Sequence, residues 1–107
     1  MSLVSEDRME KALTYLAETD EPAALARAKA ERLKVYGKTA KAYGFIDATG
    51  TVAEREAISV TTAEYLKWLK DLESAIMDSE QYSNKRSTEA GIREVWRSLN
   101  ANRRQGA

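Results

Sequence analysis

The chain has 107 residues, seventeen basic and seventeen acidic side chains that cancel, and neither cysteine nor histidine. The zero balance excludes a global attraction to nucleic acid, to an anionic membrane or to an acidic substrate, so any such signal must be local. Without cysteine or histidine there are no disulfides, no thiolate nucleophile, no serine-histidine or cysteine-histidine pair and none of the usual zinc ligand sets.

One proline and five glycines, amid abundant alanine, glutamate, lysine, arginine and leucine, predict helix almost throughout. A first helix is expected over 5–18, with Ser5 as its cap, Glu6 and Asp7 at the positive end of its dipole, and Met9, Leu13 and Leu16 on one face. Thr19-Asp20-Glu21-Pro22 then offers cap residues, an acidic first turn and a proline tolerated near a helix start. That pattern predicts a break and a second helix over 22–46. Its seam reads Ala26, Leu33, Tyr36, Ala40 and Tyr43, with heptad intervals from Leu33 to Ala40 and from Tyr36 to Tyr43. Gly37 and Gly44 each follow one of these tyrosines. They fit either close approach by a neighbouring helix or a local weak point, each costing about 1 kcal/mol against alanine. Spacing leaves both open.

Asp47-Ala48-Thr49-Gly50 reads as a turn, and Thr51 with Glu54 has the spacing of a capping box, so a short helix is expected over 52–58. Ser59-Val60-Thr61-Thr62 is a poor helix interior, and Thr61 with Glu64 repeats the capping spacing ahead of a last helix over 63–100. The last seam begins Tyr65, Leu69, Leu72, Ile76, weakens through Ser79, Ser83 and Ser87, and resumes in a shifted register at Ile92, Val95, Trp96 and Leu99. A short connection predicts that the second and last helices run antiparallel, leaving the end of the longer one uncovered. Met9, Leu13 and Leu16 of the first helix suit that overhang, from the same chain or from another. The expected fold is therefore all-α: a single domain built as an antiparallel helical hairpin, a coiled-coil-like bundle with a short N-terminal helix. Its thin core predicts a homo-oligomer.

Chemistry is sparsely represented. Gly37, Gly44 and Gly50 are too far apart to line up backbone amides on a phosphate. Glu54 with Glu56, and Asp78 with Glu80, are two apart on helix and diverge. The turn at 47–50 has one carboxylate where a calcium loop needs several oxygen ligands. No catalytic residue, metal site or cofactor is expected, and the chain reads as non-enzymatic. No apolar run approaches the ~20 residues of a membrane-spanning helix, and no signal-peptide pattern is present, so a cytoplasmic protein without a membrane partner is expected.

Charge is nevertheless unevenly placed. Residues 51–84 hold seven acidic against three basic side chains, whereas residues 85–107 hold six basic (Lys85, Arg86, Arg93, Arg97, Arg103, Arg104) against two acidic. Arg93, Arg97 and Arg104 recur at helical spacings beside Trp96 and the amides of Asn100 and Asn102. A guanidinium stripe with an aromatic ring is the chemistry of a single-stranded nucleic-acid surface: cations follow phosphates and the ring stacks on a base. Two plainer roles fit the same residues. Cations complement a helix C-terminus, and they can pair with the acidic stretch of another copy. The candidate contact residues are Arg93, Trp96, Arg97, Asn100, Arg103 and Arg104.

Two stretches, Gly50-Thr51-Val52-Ala53-Glu54-Arg55-Glu56-Ala57 and Glu94-Val95-Trp96-Arg97-Ser98-Leu99-Asn100-Ala101-Asn102-Arg103-Arg104, resemble small uncharacterised helical proteins of bacteriophages and prophages. The resemblance covers nineteen residues. It implies a phage-related origin in the cytoplasm of a bacterial host and a role near phage DNA replication or recombination, and carries over no catalytic residue. The resulting expectation is a non-enzymatic, oligomeric accessory scaffold whose basic end contacts nucleic acid, single-stranded by its chemistry, or a protein bound to it. The alternative is a protein-interaction module that acts on a host or phage protein without touching nucleic acid.

Overall fold

The computed structural model describes the backbone of residues 4–106 and the side chains of residues 4–103. It contains three helices, α1 (Glu6–Asp47), α2 (Val52–Ser59) and α3 (Ala63–Gly106). Each begins at a hydroxyl cap that satisfies an orphan amide of the first turn. Ser5 Oγ accepts from the Arg8 amide at 3.1 Å, Thr51 Oγ1 from the Glu54 amide at 3.2 Å, and Thr62 Oγ1 from the Tyr65 amide at 3.1 Å. The cap of α3 is thus Thr62. Thr61 instead donates its hydroxyl to the Ile58 carbonyl at 2.8 Å, closing off α2.

The expected break at Thr19-Asp20-Glu21-Pro22 is absent, because α1 runs through Pro22 as one helix of 42 residues. An interior proline removes one hydrogen bond and costs about 3 kcal/mol, so the surrounding turn needs compensation. Pro22 and Glu18 are exposed, which leaves the freed Glu18 carbonyl to water. The preceding turn is braced from α3. Thr19 Oγ1 donates to the Tyr15 carbonyl at 2.6 Å, and Arg86 donates to the Leu16 carbonyl at 2.8 Å and to Thr19 Oγ1 at 2.6 Å. Residues that read as a helix start are the docking point of an arginine.

Contacts group the chain into two compact units, one formed by residues up to Ala24 with those from Glu80 onward, the other by Leu25–Ser79. In the first, Arg8 meets Glu89 while Leu16, Thr19 and Asp20 meet Arg86, so positions on α3 fall as those on α1 rise. In the second, Trp68 meets Leu33 and Gly37, while Ser59 and Thr62 meet Gly44. Both are antiparallel helix pairs. The uncovered end expected for α3 is therefore filled in cis by the first half of α1.

The seam also differs from the expected one. In the second unit, the covered positions of α1 are Ala26, Ala30, Leu33, Gly37, Ala40 and Gly44, facing Tyr65, Trp68, Leu72, Ala75 and Ser79 of α3. The alternating intervals of three and four are those of a heptad coil. Tyr36 and Tyr43, expected in the seam, are 47% and 55% exposed; Leu69 and Ile76 are 41% and 36% exposed. Leu13 and Val95 lie off the seam of the first unit in the same way, and Ser83 and Ser87 are exposed. The reason is close approach. The buried apolar side chains among the described residues are Ala12, Ala30, Ala40 and Ala75, and a Cβ on Gly37 would stand 2.5 Å from Trp68 Cη2. The indole is pinned there by its Nε1, which donates to the Leu33 carbonyl at 2.6 Å, and by the Tyr65 ring 5.2 Å away. At Gly44 a Cβ would lie 3.1 Å from the Ser59 backbone. The two glycines admit the neighbouring helix.

Two glycine-to-alanine variants should consequently have opposite signs in chemical denaturation. At Gly91, exposed on helix with no atom within 4 Å of an added Cβ, alanine should raise stability by about 0.5–1 kcal/mol. At Gly37 the overpacking of Trp68 should outweigh that gain and lower stability by about 1–2 kcal/mol.

Candidate nucleic-acid interface

The cations from Lys85 onward divide into those used by the fold and those presented to water. Arg86 occupies a seam position of α3, bonded to Leu16 and Thr19 as described, and its second guanidinium nitrogen lies 3.3 Å from Asp20 Oδ1. Lys85 Nζ stands 4.5 Å from the centroid of the Tyr15 ring, a cation-π contact. Glu89, also in the seam and only 7% exposed, receives both guanidinium nitrogens of Arg8 at 2.7 and 2.8 Å. A buried carboxylate is tolerable only when paired in this way. These groups brace the hairpin.

Extending the repeat of Tyr65, Trp68, Leu72, Ala75, Ser79 and Tyr82 lands on Arg86 and Glu89, so the spacing contained the signal for this network. Charge obscured it, since ionised residues read as surface.

The remaining cations lie on the C-terminal stretch of α3. Arg93, Arg97 and Arg103 are exposed, whereas Trp96 and Asn100 are half-buried; the Arg104 side chain lies outside the described residues. Arg97 meets Glu94 at 3.3 Å, one turn away, with both side chains largely in water, a pairing worth little. Trp96, Arg97 and Asn100 line one surface hollow of about 450 Å³ with Glu94, Ser98 and Ala101. It is open to solvent and joins an indole, a guanidinium and a carboxamide. A second hollow, about 410 Å³, is lined by Asp7, Glu10, Lys11, Thr14, Tyr15 and Glu18; its carboxylates disfavour phosphate. Thus Trp96, Arg97 and Asn100 converge, with Arg93 and Arg103 exposed on the same stretch, while Lys85 and Arg86 are committed elsewhere.

Among the described residues, no group of three or more carboxylates is placed to hold a metal ion, and no helix is long and apolar enough to cross a membrane. The chain matches no family model, no curated protein and no solved structure.

The hydrogen bonds from Arg8 hold the Glu89 carboxyl below its ordinary value of 4.5, against the opposing effect of burial and with help from the charges of Arg8 and Lys85. A carboxylate whose value is lowered by folding contributes stability fully above its unfolded value, and that contribution disappears as pH falls through the folded one. Wild-type stability should therefore fall as the medium is acidified below pH 4.5. Glu89→Gln should be less stable at neutral pH and lose less on acidification, read from urea midpoints across the pH series.

Proposed function

We propose that the chain is a non-catalytic, self-associating helical scaffold that binds single-stranded nucleic acid through Arg93, Trp96, Arg97, Asn100, Arg103 and Arg104. The observation that carries this reading is the hollow in which Trp96, Arg97 and Asn100 meet, with Arg93 and Arg103 exposed on the same helical stretch. The indole supplies a face for base stacking, the carboxamide a donor and an acceptor for a base edge, and the arginines follow the phosphates. Glu94 opposes an anion at the rim, so affinity must come from several cations together and depend on salt. A phage or prophage setting in a bacterial cytoplasm, near DNA replication or recombination, belongs to the proposal and rests on the resemblance in residues 50–57 and 94–104.

A second reading has its own support. Of fourteen large apolar residues exposed among those described, all but Leu13 and Val95 lie in Leu25–Ser79. These side chains supply apolar surface to which a protein can bind. A host or phage protein bound there would need no nucleic acid.

Fluorescence anisotropy with labelled single-stranded and duplex oligonucleotides at low salt separates the two. Single strands should bind more tightly than duplex. Replacing Arg93, Arg97, Arg103 and Arg104 by alanine should weaken binding at least about tenfold and flatten the logarithmic salt dependence by about 0.7 for each phosphate that is no longer neutralised. Absence of binding to either form, or an unchanged salt slope in the variant, defeats the nucleic-acid reading.

A further inference from the structure

The flanks of the seam in Leu25–Ser79 carry a pattern that specifies how copies meet. In two antiparallel helices sharing a heptad seam, the residue just before the first seam position of each heptad lies on one side of the pair in both helices. The residue just after the second seam position lies on the other side in both. The other unit shows the first rule directly: Tyr15 precedes Leu16, Lys85 precedes Arg86, and ring and ammonium touch.

Applied within Leu25–Ser79, the rule defines two faces. On one, the residues preceding Ala30, Gly37 and Gly44 are Lys29, Tyr36 and Tyr43, and those preceding Tyr65, Leu72 and Ser79 are Glu64, Asp71 and Asp78. On α1 the aromatic pair Tyr36 and Tyr43, with Lys29 ahead of it, thus lies beside an acidic row on α3. On the opposite face, Arg27, Lys34 and Lys41 follow Ala26, Leu33 and Ala40, while Leu69 and Ile76 follow Trp68 and Ala75. A basic row on α1 lies beside an aliphatic row on α3. All these flanking side chains are exposed. Among the described residues the acidic row forms no ion pair, and in the basic row only Lys34 does, with Glu31 one turn away.

The faces are complementary to each other and not to themselves. Stacking either face on its own kind, with α3 of one copy on α1 of the next, brings charges onto apolar side chains. Stacking the first face on the second in the same way lays the acidic row on the basic row, and Tyr36 and Tyr43 on Leu69 and Ile76. The shared seven-residue spacing keeps each row aligned along its length. We propose that the occupant of each face is a second copy of this chain, joined head to tail, acidic-aromatic face to basic-aliphatic face. Such a contact is heterologous, so assembly continues until it closes as a ring or extends as an open array. This rests on the self-associating part of the proposed function and is independent of nucleic-acid binding.

The test uses two full-length variants. One carries Glu64→Lys, Asp71→Lys and Asp78→Lys; the other carries Arg27→Glu, Lys34→Glu and Lys41→Glu. Each then presents one sign of charge in both charged rows. Light scattering at low salt should give the wild type a mass above that of a dimer, and each variant alone the 12.0 kDa of a single chain. An equimolar mixture of the variants should regain the wild-type mass, since each supplies the row the other lacks; that recovery also shows that both fold. A basic-row variant that keeps the wild-type mass, a wild type that stops at a dimer, or a mixture that stays dissociated overturns the head-to-tail contact while leaving the scaffold reading standing. A wild type that is monomeric at every concentration overturns both.

Discussion

Contact between α1 and α3 along a seam of alanine and glycine governs the rest of the molecule. Helices that meet through methyl groups and bare Cα atoms come closer than helices separated by leucine or valine, and the core has little room for large side chains. Ala12, Ala30, Ala40 and Ala75 are buried, Leu33, Tyr65 and Leu72 at the seam are half-buried, and Leu25, Tyr36, Tyr43, Leu69 and Ile76 stand outside. Trp68 enters only because Gly37 yields its side-chain volume and because the Leu33 carbonyl takes the indole proton in a hydrogen bond. Such a seam buries little apolar area per residue, so a chain of this size gains comparatively little from its own interior.

The two helix pairs meet this constraint with different chemistry. The pair built from Leu25–Ser79 keeps a small-residue seam and places its apolar bulk on the flanks. The pair formed by the first turns of α1 and the end of α3 places ionised groups in the seam, with Glu89 held by Arg8 and Arg86 held by Thr19 and a backbone carbonyl. Arg8 and Arg86 are engaged there, which leaves Arg93, Arg97 and Arg103 as the described arginines of α3 that face water. The division between bracing and presented charge therefore comes from the packing and not from composition.

Much of this was legible in the sequence. Helix content, the caps at Ser5 and Thr51, the turn before α2 and the antiparallel sense of the pair followed from propensity and spacing. The register did not, because the apolar reading placed Tyr36 and Tyr43 inward, one residue from the arrangement found, and left Gly37 and Gly44 open between close approach and a weak point. Bulk is a misleading guide when the seam selects for smallness. The helix start read at Thr19-Asp20-Glu21-Pro22 failed for a related reason: the same hydroxyl and carboxylate that cap a helix also receive an arginine from a neighbour, and only the partner helix decides which. At the C-terminal end, Trp96, Arg97 and Asn100 line one hollow, whereas the spacing had pointed to a stripe of Arg93, Arg97 and Arg104. That Lys85 and Arg86 belong to the fold required the seam register, which charge had hidden.

Small residues at Ala26, Ala30, Gly37, Ala40 and Gly44 give the α1 side of the seam little relief with which to hold its register. A heptad slide keeps mostly small α1 residues against the partner, so the α1 side of the seam specifies the alignment weakly by itself. The polar contacts strengthen that specification. Arg8 reaches Glu89, Arg86 reaches Thr19 and Trp68 reaches the Leu33 carbonyl in one alignment, and a slipped pair would bury Glu89 without its partner. These groups act as an index mark, fixing which turn of α1 stands opposite which turn of α3.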